Sequence, residues 1–131
     1  MSDTITFLLL DDEPLILMDL EFAVEDMGHA FCSANCVKFA LEAIESQDCP
    51  IDVAVLDFTL TNGTNCIPVA RELDLRGIPY IIHSGDLRRR DEAISTLDAP
   101  MIAKPAPSDK VIAAAIAELL GSQPQNCVAA Q

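Results

Sequence analysis

Five short apolar runs alternate with amphipathic segments along the chain, and this alternation constrains the fold more than any other feature of the sequence. The runs are ITFLLL (5–10), HAFCSA (29–34), CPIDVAVLD (49–57), IPYIIHS (78–84) and PMIAK (100–104). Most are too continuously apolar for strands that keep one face in water. The pattern predicts parallel strands that are covered by helices on both faces.

The segments between the runs have the spacing of helices. In the first segment apolar residues recur at steps of three and four, and Gly28 is placed to end the helix. Predicted helices occupy residues 13–28, 36–46, 66–76, the later part of 85–97, and 109–120. Right-handed crossovers then favour a doubly wound, flavodoxin-like α/β fold with five parallel strands in the order 2-1-3-4-5.

The length of 131 residues is that of one ordinary domain. We expect this domain to span residues 1–121, and residues 122–131, which have little periodicity, to form a flexible tail. No apolar run is long enough to cross a bilayer, and the start MSDTITFLLLDDE is too short and acidic for a signal peptide. The five cysteines lack paired spacing, which favours small buried side chains in a reducing cytosol over disulfides or metal ligands. We therefore expect a cytoplasmic protein without a membrane segment.

The charge of the chain narrows the class of partner. It carries 21 acidic residues against eight basic ones, a formal net charge of −13. Binding to nucleic acid requires a positive protein face, so this balance argues against nucleic acid as a partner. The balance is compatible with a divalent cation or with a basic protein surface.

The third apolar run ends on a carboxylate, Asp57, in the stretch VAVLDFTL. A strand that served only as core would not carry it, because an unpaired buried carboxylate is costly. Other predicted strands also end in polar side chains: Asp11 and Asp12 after the first, Ser84 at the fourth and Lys104 at the fifth. The carboxyl ends of parallel strands meet at one edge, and ligands bind there. The sequence therefore predicts that these five side chains lie together.

Such a group of carboxylates indicates a metal ion. Each pair repels by about 3 kcal/mol at about 5 Å and an effective dielectric of about 20. Mg²⁺ resolves this repulsion, since it prefers a few carboxylates together with waters and phosphate oxygens. With the Lys104 ammonium and the Ser84 hydroxyl nearby, Asp57 is suited to attack a phosphoryl group in line. The alternative is that each acid only caps a helix. This alternative is less favoured, because four features (the acids after the first strand, Asp57, Ser84 and Lys104) all fall at the same end of predicted strands.

These residues resemble the receiver domain of two-component response regulators over roughly residues 5–120. The matching features are DDE at 11–13, VLD ending at Asp57, Gly63, Ser84 in IIHSG, and the Lys-Pro pair at 104–105. The segment GTNCIPVARELDLRGIPYI is similar to single-domain receivers of alphaproteobacteria, so we expect no fused output domain.

The resemblance implies a phosphorylatable switch and not an enzyme. Asp57 would accept a phosphoryl group from a histidine kinase or a phosphotransfer protein. The domain would then act on a downstream protein, or serve as a phosphate shuttle or sink. The implied Mg²⁺ ligands are Asp11, Asp12, Asp57 and the main-chain carbonyl of Thr59. Ser84 and Lys104 would contact the phosphoryl group, and no organic cofactor is implied.

Several positions depart from the receiver pattern. Met101 stands three positions before Lys104, where an aromatic switch residue is usual. Ala106 and Asp86 stand where aromatic residues are common, and the loop TLTNG lacks the usual Met-Pro. These changes bear on the mode of output more than on the chemistry at Asp57. The cluster Arg88–Arg90 is interpreted as a solvated helix start, as a docking patch for an acidic partner, or as a local counterweight to the acidic pocket.

Two rival interpretations belong to other functional classes. A phosphatase of the haloacid-dehalogenase type needs an acid two positions past its nucleophile, where this chain has Thr59, and it needs a substrate cap for which the chain has no room. A degenerate receiver that serves only as an interaction module is the second rival. It is disfavoured because the acids, the hydroxyl and the lysine are all present.

Overall fold

A computed structural model gives the fold and describes residues 4–46, 48, 50–60, 64–85 and 99–121. Within these residues the strands are β1 (Thr6–Leu10), β2 (Ala30–Ala34), β3 (Val53–Leu56), β4 (Tyr80–Ser84) and β5 (Met101–Ala103). The helices of the same part of the chain are α1 (Pro14–Asp26), α2 (Val37–Glu45), α3 (Ile67–Leu75) and α4 (Ser108–Gly121). The helix predicted within 85–97 lies outside the described residues, as do Asp86, Arg88–Arg90 and the tail 122–131. The domain boundary at residue 121 therefore stays a prediction.

All five strands pair in parallel, in the order β2-β1-β3-β4-β5. This confirms the predicted fold class and the strand order 2-1-3-4-5. The register aligns the ends of the central strands, because Leu56 of β3 lies beside Leu10 of β1 and beside Ile82 of β4. The residues that follow these strands consequently emerge at one edge of the sheet.

The sheet separates two apolar layers. On one face Leu8, Leu56 and Ile82 pack with the inner sides of α2 and α3. On the other face Phe7 and Val55 pack with α1 and α4. Each fully buried side chain of this size contributes about 1.5–3 kcal/mol to stability. Burial on both faces accounts for the continuous apolar runs of β1, β3 and β4, whereas β2 and β5, at the sheet edges, are partly exposed.

The predicted element bounds agree with the structure to within a few residues. Gly28 and Gly77 follow α1 and α3 with positive φ angles of 81° and 70°, so both end their helices, Gly28 as predicted. The largest difference is in the third strand, which was expected at 49–57 and extends only from Val53 to Leu56. Pro50 has no N–H to donate to the sheet. The carboxylate of the exposed Asp52 accepts a hydrogen bond from the backbone N–H of Thr6 at 2.9 Å.

The cysteines that the structure describes form no disulfide. Cys32, Cys36 and Cys66 are free thiols, while Cys49 and Cys127 lie outside the described residues. Among the helices that the structure describes, none is long and apolar enough to cross a membrane.

Candidate functional site

Three charged side chains belong to the first residue after a strand, and the sheet itself fixes their backbone. The N–H of Asp11 donates to a β2 carbonyl at 3.2 Å, and the N–H of Asp57 donates to a β1 carbonyl at 2.8 Å. The N–H of Lys104 donates to the Ser84 carbonyl of β4 at 2.9 Å. These hydrogen bonds continue the sheet pattern one residue past each strand, so the three side chains start from rigid positions at the same edge.

The Lys104 ammonium lies among three carboxylates. Its Nζ is 3.0 Å from Asp11 Oδ2, 3.0 Å from Glu13 Oε1 and 3.3 Å from Asp57 Oδ2. Burial lowers the pKa of Lys104, but hydrogen bonds to Asp11 and Glu13 and the charge of Asp57 outweigh that effect and raise the pKa overall. Lys104 is therefore a permanent cation beside Asp57.

The Asp57 carboxyl group is held where a negative charge is costly. It is 4% exposed, and its pKa is raised to about 7. Burial is the main cause, the charge of Asp11 is the second, and the charge of Lys104 offsets part of the rise. A single lysine does not compensate the charges gathered here, so the site favours a further cation.

The carboxylates of this edge fit a hard divalent cation. Oxygens of Asp11, Asp12, Glu13 and Asp57 all lie within 4.8 Å of one another. Asp11 Oδ2 is buried, and its close charged neighbour among the described residues is the Lys104 ammonium at 3.0 Å. A buried carboxylate oxygen within an all-oxygen donor set suits Mg²⁺.

Thr59 lies two residues after Asp57, in the loop that follows β3. Thr59 and Asn65 form an isolated antiparallel bridge, whose two hydrogen bonds are donated by the N–H groups of Leu60 and Cys66. Neither bond uses the carbonyl of Thr59, which is the group predicted to bind metal. Gly63, at the tip of this loop, lies outside the described residues.

Ser84 and His83 end β4 in buried positions. Ser84 is 1% exposed, at the same edge as Asp57, and its backbone carbonyl accepts the Lys104 hydrogen bond. Neither ring nitrogen of His83 has a hydrogen-bond partner among the described residues, and burial first and Lys104 second lower its pKa. His83 is thus a neutral buried ring within β4.

His29 lies just before β2, which begins at Ala30. The Nδ1 atom of His29 accepts the backbone N–H of Ile5 at 3.0 Å, and its ring packs against Phe7 with 6.0 Å between centroids. The His29 side chain therefore packs against the beginning of β1, where β1 and β2 start to pair.

Two residues near Asp57 had no role in the sequence-based prediction. Glu13 was noted only as the third acid of DDE, and its contact with Lys104 joins residues 91 positions apart, which no local pattern reveals. Cys66 is fully buried, and burial first and the charge of Asp57 second raise its pKa to about 12, so it stays a thiol. The apolar character of cysteine was the sequence signal that could have predicted the burial of Cys66.

Solved structures similar to this chain include SdrG from Sphingomonas melonis Fr1, with 35% identity over 92% of this chain and 99% of SdrG and a TM-score of 0.69. A response regulator receiver protein from Sinorhizobium medicae WSM419 has 28% identity over 92% of this chain and 98% of its own, with a TM-score of 0.77. A CheY-like receiver domain protein from Methanospirillum hungatei JF-1 has 20% identity over 94% of this chain and 99% of its own; its TM-score of 0.79 shows the shared fold. No protein-family model matches the chain, and no curated protein matches it either.

Proposed function

The chain belongs to the receiver-domain family of response regulators, and we propose that its Asp57 accepts a phosphoryl group from a histidine kinase or a phosphotransfer protein. The phosphorylated surface then binds a downstream protein, or the phosphoryl group passes to a further acceptor. In either case the domain is a signalling protein and not an enzyme. The observation that carries the proposal is the buried Asp57 carboxylate 3.3 Å from Lys104, within a group of acidic side chains.

The proposed chemistry assigns one task to each side chain of the site. An Asp57 oxygen attacks the phosphorus of a phosphohistidine in line, so that an O–P bond forms and the P–N bond to the imidazole breaks. Lys104 neutralises charge on the transferred phosphoryl oxygens. Ser84, at the end of the neighbouring strand, donates a hydrogen bond to one of them.

The proposed Mg²⁺ ligands are Asp11, Asp12, Asp57 and the Thr59 carbonyl. When bound, Mg²⁺ supplies a Lewis acid that neutralises the phosphoryl oxygens and favours ionised Asp57. The fit rests on the four acidic side chains gathered around one lysine and on the raised pKa of Asp57, because together they carry negative charge that Lys104 alone does not compensate.

The proposed partners follow from family and charge. Histidine kinases and phosphotransfer proteins are partners of receiver domains in general. For this chain the net charge of −13 favours a partner with a basic docking surface and disfavours nucleic acid. We place the protein in the cytoplasm, where such kinases present their phosphohistidine.

Acetyl phosphate is a simple probe of this proposal. With Mg²⁺ present, the intact mass of the wild-type protein should rise by one phosphoryl group, and EDTA should prevent the gain. Asp57→Asn should abolish it, whereas the control Asp19→Asn, which removes an exposed carboxylate of α1, should label normally. Labelling that survives in Asp57→Asn would falsify the assignment. A wild-type protein that no phosphodonor labels would indicate a degenerate receiver used only for interaction.

A further inference from the structure

We propose that Glu13 is a positioning residue that holds Lys104 in the unphosphorylated protein and must release it when Asp57 receives a phosphoryl group. The inference rests on the proposed function and adds to it a residue that limits the rate of phosphorylation. Glu13 would slow phosphorylation without taking part in the chemistry.

Glu13 is the outermost of the three carboxylates that contact Lys104. Its Oε1 atom accepts a hydrogen bond from Lys104 Nζ at 3.0 Å, and its side chain is 59% exposed, against 1% for Asp11 and 5% for Asp57. A phosphodonor reaches Asp57 from this solvent side. An oxygen of Glu13 also lies within 4.8 Å of an oxygen of Asp57, so it borders the space that phosphoryl oxygens must enter.

The local backbone explains why the Glu13 side chain can reach Lys104. Glu13 occupies the N-cap position of α1, in an extended conformation with φ −95° and ψ 110°, and its side chain makes no capping hydrogen bond. Its own N–H donates to Asp11 Oδ1 at 2.9 Å, which fixes the backbone. Preferred N-cap residues are short and fold back onto the helix, but glutamate is longer and here extends to Lys104.

Three carboxylates compete for the Lys104 ammonium before phosphorylation. A lysine ammonium has three N–H donors, and three carboxylates lie around this one. A phosphoryl group on Asp57 brings new oxygens that need one of those donors. Of the three contacts, the one with exposed Glu13 is the weakest in free energy, because solvent screens it. Glu13 is therefore the group that Lys104 leaves.

Two variants of Glu13 separate this contact from simple charge repulsion. Glu13→Gln removes the charge, whereas Glu13→Asp keeps the charge but is one methylene too short for the contact with Lys104. Both should be phosphorylated by acetyl phosphate and Mg²⁺ about two- to fivefold faster than wild type, the range expected for losing an exposed ion pair. Glu25→Gln, about 18 Å farther along α1, is the matched control and should not change the rate.

The outcomes of this rate comparison are decisive. If Glu13→Gln is faster and Glu13→Asp matches wild type, the effect is repulsion of the anionic donor, and the proposal is wrong. Rates that are unchanged or slower in both variants also overturn it. A wild-type protein that takes up no phosphoryl group overturns the proposed function and this inference together; a labelled wild type with unchanged variants overturns the inference alone.

A second readout needs neither metal nor phosphate. The chain has only three lysines, Lys38, Lys104 and Lys110, so their ¹⁵Nζ resonances are easily separated, and Lys104→Arg assigns the one in the site. In the metal-free protein, Glu13→Gln and Glu13→Asp should shift the Lys104 resonance and speed exchange of its ammonium protons. Glu25→Gln should leave it in place. A Lys104 signal that ignores both Glu13 variants contradicts the proposal.

Discussion

The carboxyl group of Asp57 couples the proposed chemistry to the stability of the fold. Its pKa is about 7 in the folded protein, raised by burial first and by Asp11 second, against 3.8 for an unperturbed aspartate. The folded state therefore binds this proton more tightly than the unfolded chain does. The stability that follows is fully present below about pH 4 and is lost as the pH rises through about 7.

At the same residue scale, Asp57→Asn should remove this pH dependence. In EDTA, the free energy of unfolding of the wild-type protein should fall between about pH 5 and about pH 8. The variant should lack that fall and exceed wild type at about pH 8 by at least about 1 kcal/mol. Urea unfolding at the two pH values measures the difference. Asp19→Asn, an exposed control on α1, should keep the wild-type dependence; a variant Asp57→Asn that also keeps it contradicts the raised pKa.

Among the elements, α1 offers an exposed apolar stripe beside the site. Leu15, Met18 and Phe22 recur at steps of three and four and are each more than two-fifths exposed, at 72%, 42% and 58%. Leu15 lies in the first turn, two residues after Glu13. A partner that brings its phosphohistidine to Asp57 must cover this edge of the sheet, so these side chains are suited to its docking surface.

Leu15→Ser should therefore slow phosphotransfer from the histidine kinase that labels wild type, by about tenfold, as expected for losing one apolar interface contact. Labelling by acetyl phosphate should not change, because that donor needs no docking. Leu75→Ser is the matched control, since Leu75 is 82% exposed at the far end of α3. A Leu15→Ser protein that behaves like the Leu75→Ser control with the kinase would remove α1 from the docking surface.

The edge strand β5 bears on how phosphorylation is reported. Met101 is 45% exposed and lies beside Ile82 of β4, in place of the aromatic side chain usual in receivers. A flexible thioether fills space in several rotamers and has no single bulky alternative position. The segment that we expect to order instead, residues 85–97, lies outside the described residues apart from Gly85.

Met101→Ala should accordingly preserve the response to a phosphoryl mimic. Backbone amide NMR shifts induced by beryllofluoride and Mg²⁺ should persist in Met101→Ala, whereas Lys104→Ala should lose them. If Met101→Ala abolishes these shifts while Asp57 is still phosphorylated by acetyl phosphate, then Met101 is the switch residue and the account of β5 is wrong.

For the whole molecule, the sequence predicted the fold and the grouping of Asp11, Asp57 and Lys104 for the same reason. The apolar periodicity that predicts each strand and helix can be read from neighbouring residues, and right-handed crossovers are a general rule for parallel strands. Together they bring the carboxyl ends of the strands to one edge of the sheet. The late start of β3 at Val53 was less predictable, because Asp52 just before it turns its carboxylate to the backbone N–H of Thr6, which is 46 positions away. The contact of Glu13 with Lys104 was not predictable, since it depends on side-chain reach between distant residues.

The central claim, that Asp57 is the phosphoacceptor, has one most direct measurement. The protein is phosphorylated by acetyl phosphate with Mg²⁺ and reduced with sodium borohydride, which converts an aspartyl phosphate to homoserine, and the peptides are then mapped by mass spectrometry. The account predicts homoserine at position 57 and at no other aspartate. Homoserine at position 11 or 12, with Asp57 unmodified, would contradict it.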